Sequence, residues 1–194
     1  MKTLLIILVI VLGASCSTVF QERVLVRSDD LSERPSWAQV GVTNFVKEGR
    51  LFVVGLAEHD VNSRIPAVAR IADNNARFEI SRMITNDLAF IFQNMEEGVG
   101  EGGDLSRMYA SEISKHMAHG IRQEKRYWEK VQTFDSEGER VVKLRVYSLA
   151  SIKESDIKRA ISEVISKDSK LDPQIKEQIN GHISREIEKL GQNQ

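Results

Sequence analysis

The chain has 194 residues and a formal net charge of −1, with 27 basic residues against 28 acidic ones. That balance excludes the basic excess of a nucleic-acid-binding surface, and a single cysteine excludes an intramolecular disulfide or a thiolate metal site. The length suits one domain with its own core, and 6% aromatic with 28% charged residues predicts a helix-rich protein with a large solvated surface.

The chain opens with Lys2 and then nine aliphatic residues, Leu4 to Leu12, before Gly13-Ala14-Ser15-Cys16. Crossing a bilayer takes about 20 apolar residues, so this run reads as the core of an export signal over residues 1–15. The stretch LGASC resembles the bacterial lipobox, in which the cysteine is kept and acylated. It departs from the usual pattern, since Leu12 stands four positions before Cys16 and Gly13 occupies the third. Cleavage after Ser15 by an ordinary secretory peptidase is the alternative. Ser17, where an aspartate is absent, by the same resemblance implies passage to the outer membrane with the lipid at Cys16 as anchor.

Residues 16–36 are polar and without a sustained period, and are expected to form an acylated tether. Val24-Leu25-Val26 offers only a weak, brief strand. A domain is expected over residues 37–168. Trp37 is expected to pin the lead-in segment to its core. The apolar run Leu51 to Ala57 predicts a buried strand. Asn62 or Ser63 can cap the helix that follows, where Pro66 is tolerated in the first turn. Apolar residues from Ile65 through Ala72, Ala76, Ile80 and Ile84 to Met95 recur at spacings of three and four, which predicts one long amphipathic helix. EEGVGEGG, residues 96–103, ends it in a loop.

Asp104 can cap a second helix whose stripe runs through Leu105, Met108, Ile113, Met117 and Ile121. Tyr127 to Phe134 and Glu139 to Leu149 flank Asp135-Ser136-Glu137-Gly138 and predict a β-hairpin. Val142, Leu144 and Val146 alternate with Lys143 and Arg145, so one face of the hairpin is expected in the core and one in water. Ile157, Ala160, Ile161, Val164 and Ile165 define a helix capped by Ser155 or Asp156. A last helix, residues 169–194, opens at Pro173 and carries Ile175, Ile179, Ile183 and Ile187. That isoleucine seam docks either on its own domain or on a second subunit. The expected fold is α+β, with long amphipathic helices on a small antiparallel sheet of one strand plus a hairpin, and two C-terminal helices.

Signs of catalysis are weak. Gly98, Gly100 and Gly103 match GxGxxG, but the run follows a helix, whereas a dinucleotide loop follows a strand. His116 and His119 share a helix face, with Glu112 one turn earlier, yet two ligands do not make a metal site. No GxSxG elbow or paired cysteine and histidine is present. Neither an enzyme nor a cofactor or metal is expected.

Pro35-Ser36-Trp37, the strand ending Val54-Gly55-Leu56-Ala57, the helical ARIADNNARFEI from Ala69 to Ile80, Tyr127-Trp128 and the strand VVKLRVYSLA together resemble, in order and spacing, the bacterial twenty-kilodalton lipoprotein antigen family. Flagellar outer-membrane lipoproteins belong to that group. The resemblance spans roughly residues 35–165 and implies a compact α+β domain held at a membrane, without catalytic residues. It implies a structural or assembly role in the envelope, with homo-oligomers or flagellar and other envelope proteins as partners. A monomeric periplasmic module for a cell-wall component is the alternative, using Trp128, Lys143 and Arg145 on the hairpin. Assembly would draw on Ile179 and Ile183.

Overall fold

The computed structural model describes residues 22–95 and 102–167, with scattered positions between 169 and 185. Among these residues five strands and three α-helices build one sheet with helices on one side and a strap on the other. The strands are β1 (Arg23–Arg27), β2 (Asn44–Lys47), β3 (Arg50–Asp60), β4 (Arg122–Phe134) and β5 (Arg140–Lys153). The helices are α1 (Ile65–Met95), α2 (Gly102–Ala118) and α3 (Glu154–Lys167).

All neighbouring strands are antiparallel, in the order β1-β4-β5-β3-β2. The sheet expected from sequence, one strand plus a hairpin, is therefore corrected to five strands. β2 and β3 form a second hairpin through Glu48-Gly49, both with positive φ (52° and 67°), as a two-residue turn matched to the strand twist requires. Its Phe45 and Phe52 rings stack with centroids 5.0 Å apart. β1 adds to the far edge, against β4. The expected tether thus becomes part of the folded domain from Arg23 onward.

The predicted hairpin closes as its turn chemistry dictates. The Asp135 carboxylate accepts hydrogen bonds from the backbone N–H groups of Glu137 and Glu139, and Gly138 takes a φ of 83°.

The helical layer covers one face. α1 crosses β3 and β5 through Val68, Ala69, Ala72, Ala76, Ile80 and Ile84, all buried. Ala72 and Ala76 lie directly over Gly55, whose missing side chain lets helix and strand touch. Beneath that crossing Asp73 accepts from Arg126 (Nη2 to Oδ2 2.6 Å) and from the Ser148 hydroxyl (2.6 Å). Burial opposes the Asp73 charge, but these two hydrogen bonds and the Arg126 guanidinium hold its carboxyl below the usual range. α2 and α3 extend the same layer with Ile113, Met117, Ile157, Ile161 and Ile165 against Leu51, Val53 and Ile152.

Candidate functional site

The second face of the sheet was expected to be wet, and it is covered. Residues between β1 and β2 run across it, turning through a short 3-10 segment, Ser36–Ala38, that sets Trp37 and Ala38 against Tyr127, Tyr147 and Val54. Trp37 thus pins the lead-in segment, as its sequence position predicts.

Next to this aromatic patch lies a charged cluster. Glu129 points inward from β4 with its side chain wholly buried, and Arg34 from the strap grips it with both Nε (3.2 Å) and Nη2. Such a two-pronged guanidinium–carboxylate pair is among the stronger polar contacts in proteins. The Tyr127 hydroxyl donates at 2.8 Å to Oε2 of the same carboxylate, the oxygen that Arg34 Nε also reaches. Arg145, 13% exposed, stands 3.9 Å away and reaches Glu22 (2.6 Å) and Glu58 (2.7 Å). Arg34 also lies over the Tyr147 ring, 5.5 Å from its centroid. Three carboxylates and two guanidinium groups therefore join strap, β3, β4 and β5.

Electrostatics follow from this packing. Burial disfavours the charged forms of Arg34 and Arg145, yet their carboxylate partners win and both guanidinium groups are held more firmly protonated than in water. Tyr127 is pushed up to about 12 by burial first, then by donating to Glu129 and facing its negative charge. In an unfolded chain the same phenol titrates near 10. A group whose folded value is raised contributes stability that is complete below the unfolded value and is lost as pH climbs through the folded one. Stability is thus expected to hold up to about pH 10 and fall between about 10 and 12. Denaturant titrations across that window should show a shallower fall for Tyr127→Phe, and an identical fall would count against the assignment.

The residues expected to interact do not form one site. Lys143 and Arg145 share the strapped face, but Trp128 pairs across from Val146 and packs with Ala57, Val68 and Leu144 on the helical side. Cys16, Ile179 and Ile183 lie outside the described residues. Arg34, Glu129, Glu22 and Glu58 were missed. The available signal was Glu129 itself, which occupies the inward phase of the alternation Tyr127, Glu129, Val131 and so needs a buried cation.

His116 lies 3.3 Å from Glu163, joining α2 to α3. Glu112 is taken by Lys115 at 2.6 Å. A hollow of about 330 Å³ opens beside them, lined by His119, Arg122, Lys153, Asp156 and Arg159. Among the described residues no group of three or more His, Cys, Asp or Glu side chains is placed to hold a metal ion. Nor is any described helix long and apolar enough to cross a membrane. No protein-family model, no curated protein and no solved structure matches this chain.

Proposed function

We propose that this chain is a non-enzymatic lipoprotein of the outer membrane, anchored through Cys16, that serves as a structural or assembly component of the cell envelope. The observation that carries this reading is the strapped face. Glu22, six positions after Cys16 in the sequence, is already bonded to Arg145 in the middle of the sheet. Six residues span at most about 20 Å, so the folded domain would stand close against the surface that holds the lipid. A short link of this kind suits a scaffold better than a module that searches for ligands at a distance. Copies confined to one surface also meet at a raised effective concentration, where modest contacts suffice to assemble them. Likeness to the twenty-kilodalton lipoprotein antigens and their flagellar members belongs to this proposal, with the flagellum as one setting for it.

Replacing Cys16 with alanine is expected to move the protein from the membrane fraction to soluble or unprocessed forms and to remove the acyl mass. Unchanged fractionation, with no acyl mass on the parent chain, would overturn the anchor. The second reading, a monomeric module for a cell-wall component or small ligand, has a candidate cavity in the polar hollow at the start of α3, lined by Arg122, Lys153 and the bonded pair of Arg159 with Asp156. Light scattering of the chain over a wide concentration range separates the two, since a module stays monomeric.

A further inference from the structure

Among the described residues the sheet ends in two edges without a further strand, one carrying Arg23 and Arg27 and the other Glu58 and Asp60. β2 is short and pairs with β3 only from Arg50 to Val53, with one more bond from the Val54 N–H to the Thr43 carbonyl at 2.9 Å. The remaining half of β3, through Leu56 and Glu58 to Asp60, has no strand beside it among the described residues. Backbone groups of Leu56 and Glu58 point outward there, in phase with Val54. The Leu56 carbonyl takes a hydrogen bond from the Asn75 side chain at 2.7 Å. Flanking Asn75 on α1 are Ile71 and Phe78, 43% and 65% exposed, and Leu56 itself is 46% exposed. A hollow of about 390 Å³ runs along this edge.

On the opposite side β1 pairs among the described residues with β4 alone, and none of them lies along its outer edge as a strand. It too carries exposed apolar residues, Leu25 (45%) and Val26 (47%). Register aligns the two edges. β1 faces β4 at Glu129 to Gln132, those residues face β5 at Val142 to Arg145, and those lead to Glu58 and Asp60 on β3. β1 thus occupies the rows that β2 leaves empty on the other side. Strand direction agrees as well, because a copy displaced along the sheet would lay its β1 antiparallel to this β3.

We propose that β1 of one copy docks on the free half of β3 of the next, continuing the sheet from molecule to molecule. This rests on the assembly reading above and gives it an interface. Charge selects the head-to-tail arrangement over the symmetric ones. Pairing two β3 edges brings Glu58 and Asp60 against their counterparts, and pairing two β1 edges does the same for Arg23 and Arg27. Only β1 against β3 sets cations beside carboxylates, chiefly Asp60, because Glu58 is already bonded to Arg145. Each added copy extends the sheet by five strands, roughly 24 Å, and a head-to-tail contact closes into a ring or runs on as a filament according to its rotation.

The test uses the full chain with Cys16→Ser, so that only introduced thiols react and lipidation plays no part in the readout. Val26→Cys and His59→Cys chains, whose positions share a row by this register, are prepared separately, mixed at high concentration and treated with a short bismaleimide. The expected product is the mixed dimer, at least ten-fold over either like-with-like product. Asp60→Lys, which sets like charges against Arg23 and Arg27, should weaken association at least ten-fold while circular dichroism and melting temperature stay near those of the parent. Dominant like-with-like products would overturn the head-to-tail pairing, and a monomer at every concentration would overturn the edge contact altogether. Loss of the Cys16 anchor, by contrast, shows in membrane fractionation and leaves the cross-linking pattern unchanged.

Discussion

Glu129→Ala is expected to destabilise the domain by about 3–5 kcal/mol, the usual cost of removing one member of a buried ion cluster. The size follows from what the substitution leaves behind. Arg34 and Arg145 are 16% and 13% exposed and would keep their charges without the central carboxylate, while the Tyr127 hydroxyl would lose its acceptor. The exposed pair of Lys115 with Glu112 is screened by water and contributes little, so the contrast within one protein is measurable. Urea denaturation of Glu129→Ala and Glu112→Ala should give losses that differ several-fold. Converting Arg34, Glu129 and Arg145 together to apolar residues of similar volume should cost less than Glu129→Ala alone, because no charge is then stranded. A loss under about 1 kcal/mol for Glu129→Ala would show that the cluster is hydrated and weak.

Gly55 is the second position of large effect. A methyl group there would overlap the Ala72 carbonyl oxygen and the Ala76 amide nitrogen, which are backbone atoms of a packed helix, and would sit 2.8 Å from the Ala76 methyl. Side chains can rotate away from an intruder. A helix backbone can move only as a body. Overpacking usually costs about 1–3 kcal/mol, and Gly55→Ala is expected at or above the top of that range, with Gly55→Val preventing folding. Lifting α1 off the sheet would also stretch the bonds of Asp73 to Arg126 and Ser148. Gly138→Ala serves as the comparison, since its surroundings are open and only its φ of 83° is strained. Thermal melts in which the two substitutions cost the same would remove the close-approach argument.

Elements with a strong period were readable in advance, and pairings between distant segments were not. Ile65 to Met95 announced α1 by its spacing, and Asp135 to Gly138 announced the turn of the β4–β5 hairpin. β2 escaped because Asn44–Lys47 is too short for alternation to register. Its turn, Glu48-Gly49 between two aromatic-bearing stretches, was the available signal. β1 was only weakly readable, as Val24-Leu25-Val26, because five residues read firmly as a strand only once a partner edge exists, and that edge lies on β4. Trp128 was placed on the wrong face for a related reason. Side chains alternate along a strand, so its pairing with Val146, not its charged neighbours, decides the side it occupies. The charged cluster was the least legible feature, since Arg34 and Glu129 are 95 positions apart and only the phase of Glu129 in its strand hints at a partner.

That separation bears on the order in which the molecule is completed. Helices and the two tight hairpins form from contacts a few residues long and can appear early. The Glu22–Arg145 bond closes a span of 123 positions, and nothing local can bring its ends together first. A polypeptide emerging amino terminus first would therefore carry its opening segment undocked until β4 and β5 had followed it out. The strap is the last piece fastened and the first to open, so its amide protons should exchange with solvent well ahead of those in β5.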